Sequence, residues 1–295
     1  INAQEYLPNG AFWAGSIAYD MIQWTQPISL EKLPNNNEIL AVLWLVENYV
    51  IHSIKDDEYS VYGENLKWTK RVEELIANGE INFDLSPQPD NNNKEISLIN
   101  DEQHIHFIQQ IRDSIANGMF YQVNFGRFWS GKLIEKPLTI FQRLSITNPA
   151  PFSAYIEAVD LGLAIVSSSP ETLVRCNNRI LSTAPIKGTV TRGSDKSEDL
   201  AMIASMIADV KERSEHRMLV DLMRNDLSSI CKVGSVNVER FDVESYANVH
   251  HLVSHINGEL LDKHTSNDAL GAIFPGGSIT GCPRTMVCAA IDQIE

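Results

Sequence analysis

The sequence predicts an α+β protein built on antiparallel sheet. Strand-like and helical runs come in groups instead of strict alternation, which sets it apart from parallel α/β folds. A long helical stretch over roughly 198–227 separates one group of β runs from another. Neighbouring β runs are joined by short turn signals such as Asn177-Asn178, which suit hairpins.

Two polar stretches rich in proline and asparagine punctuate the first third, at 34–37 and 84–94. The second reads as an exposed loop or linker, 84–96, between a β-rich part, 1–83, and the main part, 97–295. After it, Ile105, Ile108, Ile111 and Ile115 recur at helical spacing. Asn100 and Gln103 can form a capping box ahead of that helix, and Gly118 ends it. Tyr121, Val123 and Phe125 then alternate as a strand, and a short helix is expected over 137–145. Strand-like runs follow at 154–159, 163–167, 172–175 and 179–183, and again at 235–241 and 251–256 beyond the long helical stretch. A glycine loop, 275–281, opens a final helix at Pro283, a residue favoured in a first turn.

With 295 residues the chain can bury a large core, and 43% apolar with 21% charged residues is globular composition. The net charge of −14, from 24 Lys+Arg against 38 Asp+Glu, argues against nucleic acid as a partner. An anionic small substrate is compatible with that charge only where a local cation or oriented N–H groups reverse the field. Cys176, Cys231, Cys282 and Cys288 form no CxxC pair, which suits a reducing, cytoplasmic setting and argues against a zinc ribbon or disulfide scaffold. The longest apolar run, 39–46, is too short to cross a bilayer, and no secretory leader is visible. An isoleucine start and an ending inside an apolar helical pattern suggest a chain cut at both ends.

Several positions are candidates for chemistry. Lys187 lies in TAPIKGT, between a proline-fixed segment and a glycine, after an apolar strand run. In a solvated turn such a lysine does nothing specific. At a strand end in a partly dry pocket the charged form is disfavoured, and a neutral amine can act as nucleophile or base. Glu212 and Glu215 are three apart on a helical stretch, so their carboxylates share a face; such a pair suits Mg²⁺ or is a solvated acidic surface. The loop FPGGSITG exposes backbone N–H groups ahead of a helix, an arrangement that binds carboxylate or phosphate or simply makes a tight turn. His250 and His251 are neighbours on a strand, so only one can face a given pocket. Glu171, after Ser168-Ser169-Pro170, is a turn residue or, if buried, a general acid.

Taken in order, YQVN (121–124), APFSAY (150–155), SSSPE (167–171), PIKGT (185–189), VDLMRND (220–226), HHLVS (250–254) and FPGGSITGCPR (274–284) resemble the chorismate-utilising enzymes. The resemblance runs from about Gly118 to the end, with a fainter echo over 15–20, and is strongest to the aminodeoxychorismate synthase component I branch of p-aminobenzoate and folate synthesis. It implies antiparallel β-sheets packed together with helices outside, as in anthranilate synthase component I.

The resemblance also implies roles. Chorismate is the substrate, with Mg²⁺ neutralising one of its carboxylates. Glu215 matches the family's metal ligand, and Glu212 stands where relatives often have aspartate. Lys187 is implied as the nucleophile at ring C2 and Glu171 as the general acid for the departing C4 hydroxyl. Thr183, Gly188, Thr189, His251 and the loop residues Gly276, Gly277, Ser278, Thr280 and Gly281 are implied in substrate binding. Ammonia is expected from a glutamine amidotransferase subunit, because no cysteine here sits in a glutaminase context such as G-x-C-x-G. Anthranilate synthases usually carry alanine where Lys187 stands and aminodeoxychorismate synthases carry lysine, whereas isochorismate and salicylate synthases use a lysine to activate water. Those activities are the alternatives, together with a non-catalytic homologue that docks an amidotransferase. Two departures stand out: the usual Ala-Pro-Lys is Cys282-Pro283-Arg284, and the family pattern continues for about one further subdomain.

Overall fold

The computed structural model describes residues 10–32, 38–79 and 96–294; the expected linker over 84–96 lies almost wholly outside them. The chain divides into two compact units, Ile1–Met21 with Asn36–Ser86, and Ile22–Asn35 with Pro87–Glu295. The short helix α1 (Ile22–Thr25) belongs to the second.

In the first unit β1 (Phe12–Ile17) pairs antiparallel with β2 (Ala41–Val46), and β3 (Tyr49–Ser53) with β4 (Glu58–Tyr62). Tyr49 and Tyr62 face each other across the second pair and stack with ring centroids 4.9 Å apart. Helix α2 (Leu66–Asn78) follows, started by Asn65, whose side chain accepts from the Trp68 N–H.

The second unit holds the main core. A short strand, β5 (Ile96–Ser97), precedes α3 (Asp101–Ala116), which begins with the expected Asn100–Gln103 capping box. Beyond Gly118 come β6 (Gln122–Val123), β7 (Trp129–Ser130) and α4 (Pro137–Thr147). The strands β8 (Phe152–Ala158) and β9 (Leu163–Ser169) form an antiparallel pair. A five-stranded antiparallel sheet then takes β10 (Arg175–Asn177), β11 (Ile180–Thr183), β12 (Ile186–Thr191), β13 (Asn237–Ser245) and β14 (Val249–Glu259). The long β14 is central, with β13 along one edge and β11 and β12 end to end along the other.

Helices α5 (Lys196–Ala208) and α6 (Val210–Ser228) lie against this sheet. His216, Leu219, Met223 and Leu227 are buried on one stripe of α6 at helical spacing. Met223 and Leu227 join Leu181, Ile230, Ile256, Leu260 and Ile273 in one apolar cluster. After α7 (Ser266–Ile273) the chain makes a short turn of helix, α8 (Gly277–Thr280), a two-residue strand, β15 (Gly281–Cys282), and the last helix, α9 (Arg284–Ile294). Ile111 and Phe120 meet Val287 and Ile291 of α9 in a second cluster.

Three local expectations are corrected. The long helical stretch is two helices: Asp209, at ψ 114°, leaves helical geometry, and its carboxylate accepts from the N–H groups of Lys211 and Glu212. The β10–β11 turn is one residue later than expected. Asn178 and Arg179 both have positive φ, 47° and 65°, as a two-residue hairpin turn with the correct twist requires. Residues 172–174 are not strand, because Thr183 Oγ1 donates to the Leu173 carbonyl and draws that segment across the end of β11.

Candidate active site

Lys187 sits near the start of β12, opposite Leu252 of β14. The register slips between Lys187 and Thr189, and Gly188 absorbs the bulge at φ +83°. A Cβ there would meet Leu252 Cδ1 at 3.0 Å and Glu212 Oε2 at 3.4 Å, so glycine serves both the backbone angle and the close approach of α6. Lys187 Nζ is 3.2 Å from Glu215 Oε2, and both side chains are 32% exposed. Lys187 is therefore ion-paired and partly wet, not held in the dry pocket considered from sequence. Glu212 and Glu215 both reach toward β12, as their spacing on α6 predicts.

Glu171 approaches the same strand from the other end of the motif series. Burial raises its carboxyl pKa, against opposing hydrogen bonds from the Ser278 side chain and the Ile186 backbone. The acid thus rests against the residue before Lys187 and against the glycine loop. In that loop Gly276 precedes α8 and Gly277 opens it; Thr280 is buried, its Oγ1 donating to the Gly276 carbonyl at 3.0 Å. Gly281, at φ +134°, runs so close to β6 that a Cβ would lie 2.1 Å from the Gln122 carbonyl oxygen. Backbone bonds from Tyr121 to Cys282 and from Asn124 to Thr280, each 2.8 Å, dock YQVN onto the loop.

Replacing Glu171 with glutamine tests this environment. Glu171 has a raised pKa when folded, so its stability contribution is complete below the unfolded value and falls as pH rises through the folded one. Glu171→Gln is expected to melt at or above the wild-type temperature at pH 7, while any acid-dependent turnover drops by about 10²-fold or more. Thermal melts beside a turnover assay check both; a lower melting temperature with unchanged turnover contradicts the reading.

The sheet divides the remaining candidates. By register Thr183 lies opposite Ile256 and Lys187 opposite Leu252, so both face α6. Thr189 and His251 are partners on the opposite face, 2.9 Å apart between Oγ1 and Nδ1. The structure therefore does not bring His251 or Thr189 onto the Lys187 face. Burial lowers the His251 pKa, and its ring lies 5.4 Å from that of Tyr246. His250, on the α6 face, is buried between Ser245 Oγ at 2.7 Å and Asp199 Oδ1 at 2.9 Å. Arg192 and the Gly193 N–H also bind Asp199 and hold its pKa far below the usual range.

Two groups escaped the sequence reading. His216 is buried beside Glu215, with Nε2 2.7 Å from Ser254 Oγ and its ring against Phe241 at 5.2 Å. Nothing marks it in sequence except its place on the apolar stripe with Leu219 and Met223. Burial lowers its pKa to about 4. Its stability contribution is complete above pH 6.5 and declines as pH falls toward 4, by about 3 kcal/mol in all. A melting-temperature profile from pH 7 to 4.5 should fall in wild type and flatten in His216→Asn; parallel profiles contradict this. The second group is the ion pair of Arg284 and Asp226, which joins the glycine-loop motif to VDLMRND with side chains 8% and 10% exposed.

Among the described residues no three His, Cys, Asp or Glu side chains converge as a metal cage would. The two carboxylates of Glu212 and Glu215 match a different donor set, that of Mg²⁺, which takes one or two carboxylates and completes its shell with water and substrate oxygens. A lysine and a carboxylate pair at one strand end, a partly buried acid against the preceding residue and a glycine loop thus gather around the start of β12 in an antiparallel α+β fold.

The family profile described as chorismate binding enzyme matches residues 2–295, and the chain belongs to that family. Its sequence is 41% identical over 189 residues to aminodeoxychorismate synthase component 1 of Bacillus subtilis (strain 168), covering 64% of this chain and 40% of that protein. It is 32% identical to an anthranilate synthase component I-like protein of Synechocystis, across 100% of this chain and 60% of the other. Anthranilate synthase component I from Streptococcus pneumoniae TIGR4 superposes with a TM-score of 0.79 at 27% identity, covering 98% of this chain and 66% of that one. The chain thus spans about half the length of the curated relatives it matches. No helix among the described residues is long and apolar enough to cross a membrane.

Proposed function

We propose that this chain is the catalytic part of an aminodeoxychorismate synthase component I, which converts chorismate and ammonia to 4-amino-4-deoxychorismate and water. The observation that carries the reading is Lys187 on β12, with Glu215 3.2 Å from its amine. The half-buried, raised-pKa Glu171 against the preceding residue supports it. In the first step Lys187, released from Glu215 and with its ammonium proton given up to the water that reaches its one-third-exposed side chain, bonds through the neutral amine to ring C2, electrons shift through the conjugated double bonds, and the C4–O bond breaks. Glu171 gives its proton to the departing hydroxyl, which leaves as water. Ammonia then bonds to C4, the electrons shift back, and the C2–N bond breaks to free Lys187. The new ammonium returns a proton to Glu171. Two displacements restore the ring pattern with nitrogen at C4.

Glu215, with Glu212 beside it, would hold Mg²⁺, which when bound offsets the charge of a substrate carboxylate. The glycine loop would receive the other through N–H groups at its start, Gly276 to Ser278, because those of Ile279, Thr280 and Gly281 already donate within the loop, and Arg284 keeps the cation that the family has after the loop. Neutral ammonia is scarce at neutral pH, so we expect delivery in the cytoplasm by a glutamine amidotransferase partner. Glutamine-dependent turnover should then appear only when that subunit is added. A second reading, anthranilate synthesis, is supported by relatives of that name aligning along 96% of this chain at 31% identity. Incubating the full-length protein with chorismate, Mg²⁺ and ammonia separates the readings. Aminodeoxychorismate supports the proposal, whereas anthranilate, an unaminated isomer or unchanged chorismate rejects it.

A further inference from the structure

The Lys187–Glu215 contact links the two separate roles proposed for its members, and the link rests on Glu215 being a ligand of Mg²⁺. The Glu215 carboxylate is faced by two ammonium groups, Lys187 at 3.2 Å from Oε2 and Lys211 at 3.7 Å from Oε1. They are not equivalent. Lys211 is one turn away on the same helix and 79% exposed, so water screens it and its geometry is loose. Lys187 is presented by a strand hydrogen-bonded to β14, and Glu215 precedes His216, which is buried against Ser254 of that same β14. Strand and helix therefore fix the two charges toward each other before any ligand arrives.

We propose that Lys187 is an internal competitor for the divalent cation: its ammonium holds Glu215 until the metal takes that carboxylate, so metal loading and release of the amine are one event. A carboxylate oxygen turned onto an ammonium cannot at the same time ligate a metal at full strength. By linkage, whatever metal binding does to the Lys187 contact, removing Lys187 must do in reverse to metal affinity. The arrangement would keep the amine tied to Glu215 in the metal-free protein and free it when the cation that accompanies the dianionic substrate is in place.

The test is Mg²⁺ binding to the full-length protein by calorimetry without chorismate, so that no catalytic step contributes. Lys187→Met and Lys187→Gln are expected to bind Mg²⁺ about fivefold more tightly than wild type, the scale of a part-exposed ion pair. Lys187→Arg, which keeps the cation, should stay near wild type, and Lys211→Met should change affinity less than about twofold. Unchanged or weaker binding in both neutral Lys187 variants overturns the inference, as does an equal gain in Lys211→Met, which would reduce the effect to general charge. Glu215→Gln separates this from the parent reading. If it loses Mg²⁺ while the Lys187 variants bind like wild type, only the competition fails. If it binds Mg²⁺ as well as wild type, or if neither wild type nor the Lys187 variants bind, the metal site fails and takes the inference with it.

Discussion

Arg284→Met is expected to destabilise the protein by about 3–5 kcal/mol, the cost of orphaning one member of a buried ion pair. Arg284 is 8% exposed and Asp226 10%, so neither charge is hydrated by bulk water. Burial already raises the Asp226 pKa, and the Arg284 guanidinium is what opposes that rise. The same guanidinium donates to the Ala272 carbonyl at 2.7 Å, at the end of α7. Methionine fills much of the volume but satisfies neither oxygen. For a domain of this size the shift should be roughly 10 °C in a thermal melt. The double variant Arg284→Met with Asp226→Leu should recover much of the loss, because the main cost is the uncompensated carboxylate. A melt of the single variant within a degree or two of wild type would show that the pair does not hold these segments together.

The second large effect is on activity. If Lys187 is the nucleophile proposed above, Lys187→Ala should reduce formation of 4-amino-4-deoxychorismate at least about 10³-fold, since the amine that forms the C2 bond is gone. Its fold should survive. The ion pair with Glu215 is a third exposed and contributes no more than about 1 kcal/mol, and the strand is anchored by its backbone pairing with β14. Ammonia attacking chorismate directly at C2 would leave a small residual yield of ortho-aminated product. Turnover near the wild-type rate in a folded Lys187→Ala protein would remove Lys187 from the chemistry.

Local signals in the chain determined much of this protein. The Asn100–Gln103 box starts α3 because both hydrogen bonds form among four consecutive residues. The β14 strand and the apolar stripe of α6 are likewise periodic patterns that any fold must bury. Glu212 and Glu215 reach one face because three residues on a helix make them neighbours. The ordered motifs named a family, and its profile spans residues 2–295.

What remained to the tertiary structure is decided by partners far apart in the chain. Asp209 carries a helix-starting side chain, but a continuous apolar pattern on both sides hid the break that its capping bonds create. His216 and Ser254 are 38 residues apart, and only the packing of α6 on β14 makes them a 2.7 Å pair. Asp226 and Arg284 look like ordinary surface charges until α6 and the loop before α9 close over them. The placement of Thr189 depends on one bulge: alternation along β14 turns His251 away from the face of Leu252 and Lys187, and the slip at Gly188 carries Thr189 over to the His251 face. Local sequence sets which way a side chain turns relative to its own helix or strand. Which face of the sheet becomes the site is set by register and by the helix that covers it.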